Sequence, residues 1–332
     1  MTVASAIIAA GCASSRAQRG AHRATTIAPA TAPSTTGAPP TTAPGTVPTS
    51  VGREHIPAFT HLFVVLMENT SAPGALAVPA IAHLAARYAS ATAWYAASHP
   101  SLPNYLALVA GSTFAVSSDC TGCYQDGPSL ASQLTDAGVT WGAYFEGMPA
   151  PCFLGPESPD GEYAQKHDPF AYFRDVRSSA SQCAHLQPLT ALTGLLAGNA
   201  PVSAVPRFVW VTPNLCHSGH DCGAAAGGAW LAGFVASVTA SPAWRDGGAL
   251  VVTWDEGTDS RGLDPATGSS TNGGGGNVLT LVIAPSVAAG LKVGMPLDHY
   301  SLLRSIEDAF GLPLLREAAA PGTKPMSAFW SE

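Results

Sequence analysis

The chain has little charge: only 11% of its 332 residues are Asp, Glu, Lys or Arg, whereas 46% are hydrophobic. Its formal net charge of -7 excludes the basic surface by which proteins hold nucleic acid. Long apolar runs are also lacking, because none approaches the ~20 residues that cross a bilayer. A chain of this length and apolar content can bury a large core, so one large α/β domain or two smaller ones are expected.

The N-terminus, VASAIIAAGCASS, is a short apolar stretch that ends in small residues and Cys12. It resembles the end of a bacterial lipoprotein signal, in which the cysteine is lipidated after cleavage. It lacks preceding basic residues and has Ala9 where leucine is usual, so an ordinary cleaved secretory signal is the alternative. Both interpretations predict export through residues 1–23. The protein would be a cell-surface lipoprotein, with a lipid at Cys12 as its membrane contact, or it would be secreted.

A second N-terminal segment is almost wholly Ala, Thr, Pro, Gly and Ser, over residues 24–50. Such a composition buries too little apolar surface to fold. We therefore expect a disordered linker over residues 24–57 and one folded domain over residues 58–332.

Cysteine is scarce, and its use agrees with export. Apart from Cys12 there are six: Cys120, Cys123, Cys152, Cys183, Cys216 and Cys222. An even number in an exported chain favours disulfides. We expect the local pairs Cys120–Cys123 and Cys216–Cys222, which leaves Cys152–Cys183. A zinc site built on C-x-x-C and later histidines is less favoured, because no second C-x-x-C or matching His pair follows.

From about residue 58, strand and helix patterns alternate. Short apolar runs rich in β-branched and aromatic residues predict buried strands at 61–67, 139–145, 207–212, 249–254 and 278–284. Helical spacing predicts helices around 75–89, 101–110, 128–137, 227–239 and 299–310. This alternation predicts an α/β fold with a mainly parallel central sheet and helices on both faces.

Polar side chains follow three of these strands. They are Glu68 and Asn69 after the first, Asp255 and Glu256 after the fourth, and His217, His220 and Asp221 after the third. Each group alone could simply begin a loop. Together they would meet outside the carboxyl ends of the strands, where open α/β sheets bind ligands. Clustered carboxylate and amide oxygens indicate a divalent cation: Ca²⁺, Mg²⁺ or Mn²⁺, with Zn²⁺ and Fe left open by the histidines.

The stretch HPSLPNYLALVAG, residues 99–111, predicts a helix with Ser101 as N-cap, Pro103 in the first turn and Gly111 as C-cap. The simplest interpretation is that Ser101 only caps the helix. The alternative is that Ser101 is a nucleophile at a helix N-terminus, where an anion would be held.

Histidines and one glycine run are further candidates. His220 and His299 are favoured for function, as ligands of a phosphoryl oxygen or as proton donors, whereas His217 is expected to be a surface residue. Lys166 and His167 form a weaker pair that would contact substrate. The run GSSTNGGGGN (268–277) lacks the Lys-Ser/Thr of a phosphate-binding loop and is expected to be a flexible loop that borders the site.

Several motifs together resemble one known group: VVLMENTS, HPSLPNYLALVAGST, SLASQLTDAG, YFEGMPAPC, KHDPFAYF, VTPNLCHSGHDC, VVTWDEG and DHYSLLRSIEDAFGLPLL. Over residues 60–318 the chain resembles the bacterial phosphoesterase family that includes phospholipases C and acid phosphatases, related to the alkaline phosphatase superfamily. The resemblance implies an alkaline-phosphatase-like fold and a metal-dependent hydrolase of phosphoric esters. Sulfatase activity is not expected. The sulfatases of the wider superfamily need a modifiable Cys or Ser followed by Pro and Arg, and SLPN lacks that arginine.

The resemblance also implies roles for individual residues. The metal ligands would be Glu68, Asn69, Ser101, Asp255 and Glu256. Ser101 would be the nucleophile, and Asn104 would be the amide that binds phosphoryl oxygens. His220 and His299 would face the phosphate as further catalytic residues. Apart from the resemblance, we expect Lys166, His167 and Asp221 to contact substrate. The family often has Asn-Asp where this chain has His217-Ser218, so contacts in this loop differ.

These inferences lead to an acid-phosphatase-like phosphomonoesterase that acts on a small phosphate ester. Two alternatives remain open. One is a phospholipase C-type phosphodiesterase that acts on a lipid headgroup, and the other is a surface-tethered lipoprotein that binds a phosphorylated ligand without turnover. The sequence leaves the oligomeric state open.

Overall fold

The computed structural model describes residues 56–198, 201–264, 267 and 269–330. The predicted export signal, Cys12 and all but the last two residues of the predicted linker lie outside these residues.

Eleven strands occur in the described residues: β1 His61–Met67, β2 Ala89–Tyr95, β3 Trp141–Phe145, β4 Leu186–Pro188, β5 Phe208–Thr212, β6 Gly248–Trp254, β7 Arg261–Asp264, β8 Ser269–Asn272, β9 Asn277–Ile283, β10 Lys292–Val293 and β11 Leu297–Asp298. Nine form one sheet in the order β10-β2-β9-β6-β1-β5-β3-β4, with β11 beside β2, while β7 and β8 pair separately. Within the sheet, β9 runs antiparallel to β2 and β6, and the other pairs are parallel. The predicted mainly parallel sheet is confirmed.

Helices cover this sheet: α1 Ala72–Leu76, α2 Pro79–Arg87, α3 Ser101–Ala110, α4 Leu130–Asp136, α5 Arg174–Ser178, α6 Ala180–Cys183, α7 Leu189–Leu196, α8 Gly223–Ala240, α9 Pro242–Arg245 and α10 His299–Phe310. One group joins α3 to α4 and α10, and another joins α8 to α1 and α2. Successive side chains of a strand point to opposite faces. Since every residue of β1, β6 and β9 is buried, both faces of the sheet are covered.

Most predicted elements are present. The helices at 101–110 and 299–310 have the predicted bounds and end at Gly111 and Gly311, whose φ of 67° closes each helix in the left-handed region. The predicted helix 75–89 is instead two helices, α1 and α2, and the second begins at Pro79. Strand β2 was missed because it begins with the small residues Ala89-Ser90-Ala91, which carry little strand signal.

The helix α8 departs from the expectation that no apolar segment approaches the length needed to cross a bilayer. With 18 residues and a mean hydropathy of 1.3, it is the one described helix long and apolar enough to cross a bilayer. In the fold it packs on α2. An added Cβ at Gly228 would lie 2.8 Å from Val78 Cγ1, so glycine permits this close contact. The same segment is therefore a covering helix of the sheet.

The six cysteines form three disulfides. They join Cys120 to Cys123, Cys152 to Cys183 and Cys216 to Cys222. The predicted pairing is confirmed, and it leaves none of these sulfurs for the alternative zinc site. Disulfides persist in oxidising compartments, so the pattern is consistent with export.

Candidate active site

The site lies where β1 and β6 end side by side. These strands are parallel, and Met67 is paired with Trp254, so Glu68-Asn69 and Asp255-Glu256 emerge at the same edge of the sheet. The Asp255 N–H donates to Met67 O at 2.9 Å, and the Asn69 N–H donates to Asp255 Oδ1 at 3.0 Å. Asn69 has a φ of 46°, a left-handed conformation that asparagine tolerates better than most residues.

The two carboxylates at this edge, Glu68 and Asp255, are fully buried. Burial raises the pKa of Glu68 well above its ordinary value, and the negative charge of Asp255 raises it further. Burial also raises the pKa of Asp255. Asn69 Oδ1 and Asp255 Oδ2 are buried without a hydrogen-bond partner among the described residues. Adjacent buried acids and unpaired oxygens are costly unless a cation compensates them.

These donors fit a hard divalent cation, which takes carboxylate, amide and hydroxyl oxygens. In the part of the chain that the structure describes, no group of three His, Cys, Asp or Glu side chains is placed to hold a metal. A metal here would therefore depend on Asn69 and Ser101 as well as on the two carboxylates.

Ser101 stands at the first residue of α3 and points to this cluster. Its Oγ donates to Glu68 Oε2 at 3.2 Å. The predicted N-cap role is wrong: the N-cap residue is Pro100, and Ser101 is already helical and makes no capping bond. The next N–H, that of Leu102, donates instead to Asp119 Oδ1 at 3.0 Å.

Tyr105, one turn further along α3, was missed by the sequence analysis. Its hydroxyl donates to Glu68 Oε1, so Ser101 and Tyr105 together occupy both oxygens of Glu68. Its position four residues after Ser101, on the same side of the helix, was the available signal. Tyr105 is itself fully buried.

His167 lies behind Glu68 and does not reach outward as a substrate contact. It is 3% exposed, its ring stacks on Tyr105 with centroids 5.3 Å apart, and its Nε2 is 3.3 Å from Glu68 Oε2. Burial lowers its pKa well below the ordinary value, and the nearby Lys166 lowers it further. The predicted substrate-binding role of His167 does not match this buried position.

Asn104 also has a different position from the predicted one. Its Oδ1 accepts from the N–H groups of Ala97 and Ser98 at 3.0 and 2.9 Å, and its Nδ2 donates to the carbonyls of Ser98 and Pro100 at 2.8 and 3.0 Å. A side-chain amide has two donor hydrogens and an acceptor oxygen with two lone pairs. All of them are used within the turn that leads to Ser101, so Asn104 holds this turn and leaves nothing for a phosphoryl oxygen.

His299 is likewise a support, contrary to its predicted role. The residue is fully buried, its Nε2 is 2.6 Å from the Asp255 carbonyl, and Trp94 Nε1 donates to its Nδ1 at 3.3 Å. Burial lowers the pKa of His299 to about 4. A neutral ring with both nitrogens occupied fixes the backbone of Asp255 and cannot protonate a leaving group.

Lys166, His220 and Asp221 form a chain of contacts beside the site. Lys166 Nζ is 3.0 Å from Asp119 Oδ2 and 3.2 Å from His220 Nε2, while His220 Nδ1 is 2.6 Å from Asp221 Oδ1. The structure thus brings together three residues predicted for function and adds Asp119, which carried no recognisable sequence signal. The positive charge of Lys166 is close enough to lower the pKa of Glu68.

Glu256 faces His99 and so departs from its predicted place among the metal ligands. Its Oε2 is 2.5 Å from His99 Nδ1, and His99 Nε2 is 3.0 Å from the Asp259 carbonyl. Burial raises the pKa of Glu256 to about 7. The contact gives Glu256 an imidazole partner and holds His99 next to the turn before Ser101.

His217 pairs with Glu146, whose Oε2 is 2.9 Å from His217 Nδ1. Its side chain is 42% exposed. This matches the expectation of a surface residue and leaves His217 outside the cluster around Ser101.

Within the glycine run, Gly275 and Gly276 lie in a backbone segment that is hydrogen-bonded to Ala96. The Gly275 N–H donates to Ala96 O, and the Ala96 N–H donates to Gly276 O, both at 2.9 Å. A Cβ at Gly275 would lie 2.1 Å from Ser98 O, so only glycine fits against this turn. The run borders the site by packing on the segment that Asn104 also holds.

The amino-acid sequence was compared with a family model and with known proteins. The family model described as "Phosphoesterase family" matches residues 74–313. A phosphatidylinositol-3-phosphatase of Mycobacterium tuberculosis is 32% identical over 284 residues, which is 83% of this chain and 85% of that protein. A probable acid phosphatase of Kluyveromyces lactis is 28% identical over 78% of this chain, and the match spans 60% of that protein's length.

Solved structures agree on the fold. A protein of the alkaline phosphatase superfamily from Vibrio parahaemolyticus has a TM-score of 0.53 at 11% identity, covering 81% of this chain and 72% of that one. The family match extends over most of the chain and includes the Ser101 helix and the β6 edge. The chain therefore belongs to the Phosphoesterase family, has an alkaline-phosphatase-like α/β fold and is a hydrolase of phosphoric esters.

Proposed function

We propose that the protein is a metal-dependent phosphomonoesterase that uses Ser101 as its nucleophile. One observation carries the proposal. Ser101 Oγ donates to Glu68 Oε2 at 3.2 Å, beside the unpaired buried oxygens of Asn69 and Asp255. A hydroxyl, two carboxylates and an amide meet at one helix N-terminus, where an anion is favoured.

The residues that would hold the metal are Glu68, Asn69, Asp255 and Ser101. When bound, a divalent cation supplies Lewis-acid polarisation and a lower pKa for an oxygen that it binds. Glu256 is left out of this set because its carboxylate is paired with the imidazole of His99. This all-oxygen donor set suits Mg²⁺, Mn²⁺ and Ca²⁺, and Zn²⁺ and Fe are tested beside them.

The chain's own residues orient and activate the hydroxyl. The Oγ–H of Ser101 is directed at Glu68 Oε2, and Tyr105 fixes the other oxygen of that carboxylate. In the proposed step the proton passes to Glu68, a bond forms between Oγ and phosphorus, and the bond to the leaving oxygen breaks. The leaving oxygen keeps the electron pair and takes a proton from water. Water then hydrolyses the phosphoserine.

Lys166 is the cation placed to offset charge on the phosphoryl group. Its side chain is 21% exposed, and its charge is close enough to lower the pKa of Glu68. His220 receives a hydrogen bond from Lys166 at Nε2 and contacts Asp221 at Nδ1. We propose that Lys166 binds a phosphoryl oxygen, with His220 and Asp221 as its supports.

The names of the relatives favour a monoester over a diester. The reported relatives are a phosphatidylinositol-3-phosphatase and a probable acid phosphatase, and both names describe removal of a phosphate. A phosphomonoester, either soluble or on a lipid headgroup, is therefore the proposed substrate class. We also propose that the protein is exported and carries a lipid at Cys12.

The test is hydrolysis of a chromogenic phosphate monoester and of the matching diester by wild type and Ser101→Ala. We expect release from the monoester by wild type and a loss of at least ~10³-fold in the variant, since removal of a nucleophile disables the reaction. Ser237→Ala, exposed on α8, is the matched control and should keep full activity.

Metal removal adds a second arm to this test. Wild type treated with a chelator should lose activity and regain it when one of the five cations is returned. Preference for the diester would favour the phospholipase C-type alternative. Full activity of Ser101→Ala would refute the nucleophile, and absence of turnover by folded, metal-supplied wild type would favour the binding lipoprotein.

A further inference from the structure

We propose that Asp119 is a positioning residue that acts on catalysis through Lys166 while it also holds the N-terminus of the nucleophile's helix. The inference rests on the proposed function of Ser101 and Lys166. Asp119 lies in the loop SSDCTGC, between α3 and α4, and no feature of the sequence pointed to it.

The two oxygens of Asp119 have separate partners. Oδ1 accepts from the Leu102 N–H at 3.0 Å, and this amide directly follows Ser101 in α3. Oδ2 accepts from Lys166 Nζ at 3.0 Å. One carboxylate therefore ties the start of the nucleophile's helix to the cation beside the site, so the distance between them depends on Asp119.

The second contact of Lys166 strengthens this assignment. Lys166 has only donors, so His220 Nε2 must accept at 3.2 Å, and His220 Nδ1 then carries the hydrogen that Asp221 Oδ1 accepts at 2.6 Å. His220 is thus the acceptor of the hydrogen bond from Lys166 in this network. Asp119 is the anionic partner of Lys166 and holds its ammonium group in position.

The loop that carries Asp119 is itself fastened. The disulfide Cys120–Cys123 begins at the next residue, and Gln165 Nε2 donates to Thr121 O at 3.4 Å. Gln165 directly precedes Lys166, so the loop contacts the Lys166 segment through both backbone and side chain. Because the loop is held in place and the two oxygens of Asp119 bind different groups, Asp119 can position Lys166 without contacting substrate.

A substitution can separate the two functions of Asp119. Asp119→Asn keeps an oxygen that can accept from the Leu102 N–H but removes the negative charge that holds Lys166. Asp119→Ala removes both. Lys166→Met removes the cation with a side chain of similar length. Asp126→Asn is the matched control, because Asp126 is 80% exposed and is paired with Arg174, at 3.4 Å, on the surface.

The experiment is a double-mutant cycle on monoester hydrolysis with kcat and KM measured separately. We expect Asp119→Asn to lose at least ~10-fold in kcat/KM, mainly in kcat, because a misdirected ammonium no longer meets charge that develops in the transition state. The double variant with Lys166→Met should be no worse than Lys166→Met alone. Melting temperature should fall for Asp119→Ala more than for Asp119→Asn.

Other outcomes overturn the inference. Wild-type kinetics in Asp119→Asn would show that the carboxylate is not used. Multiplicative losses in the double variant would show that Asp119 acts independently of Lys166. Failure of the proposed function is read separately: Ser101→Ala with full activity would refute the nucleophile, and the Asp119–Lys166 cycle would still measure whether the two residues act together in whatever turnover remains.

Discussion

At the scale of single residues, Ser101 and Asn104 differ in what their side chains contact. Ser101 Oγ donates to Glu68, whereas the amide of Asn104 is used within the turn before Ser101. Glu68, Asn69, Asp255 and Ser101 follow directly from strand and helix ends, and the structure brings them together. The roles implied for Asn104 and His299 do not match their contacts. A sequence shows which side chains could bind phosphate. Only the fold shows whether the donors and acceptors of such a side chain are already bonded to the backbone.

Asn104 gives a prediction at this scale. Asn104→Ala removes four hydrogen bonds within the turn at residues 97–100 and leaves backbone groups unpaired. We expect the free energy of unfolding to fall by roughly 2–4 kcal/mol together with a loss of activity, measured by urea denaturation and monoester hydrolysis. Unchanged stability with lost activity would instead support the phosphoryl contact first implied for this residue.

At the scale of elements, predictions succeeded where a strong pattern coincided with local capping. Helices α3 and α10 were placed to the residue because Gly111 and Gly311 end them. The strand β2 was missed because its small residues become strand only when β9 and the short β10 and β11 pair with them. The contacts of Gly275 could not be predicted, because the sequence does not show which backbone lies against it.

Gly275 gives a prediction at this scale. A Cβ there would lie 2.1 Å from Ser98 O and 2.8 Å from Ala96 Cβ, and these backbone segments have no room to move apart without shifting the turn before Ser101. We expect Gly275→Ala to lower stability by roughly 2–4 kcal/mol and to reduce monoester turnover.

The control for this substitution lies on α8. An added Cβ at Gly233 meets nothing within 4 Å, and alanine is favoured over glycine in a helix by about 1 kcal/mol. Gly233→Ala should therefore be neutral or stabilising and fully active. Equal behaviour of the two variants in thermal denaturation would contradict the proposed close packing of the glycine run.

At the scale of the whole molecule, buried carboxyls away from the nucleophile make stability depend on pH. Burial raises the pKa of Asp168 to about 7, of Asp298 to about 6 and of Glu307 to about 8. An acid whose pKa is higher in the folded state binds its proton more tightly there. The unfolded chain loses these protons first as pH rises, so the contribution of these three carboxyls to stability falls between their ordinary pKa values and about pH 8 and then levels.

Glu307 provides the test. It is fully buried on α10, where Oε1 accepts from the Leu315 N–H at 3.0 Å, and its other oxygen has no hydrogen-bond partner among the described residues. Glu307→Gln should be more stable than wild type at pH 8 and should flatten the decline of melting temperature with pH. The exposed Glu157→Gln should leave the decline unchanged; an identical decline in Glu307→Gln would refute the assignment.

Rapid acid quenching of wild type during turnover of a phosphate monoester, followed by mass spectrometry of its peptides, tests the assignment of Ser101 as the nucleophile. We expect one phosphoryl group on Ser101, absent from Ser101→Ala and absent after metal removal. Turnover that leaves Ser101 unlabelled while another residue carries the phosphoryl group would contradict it.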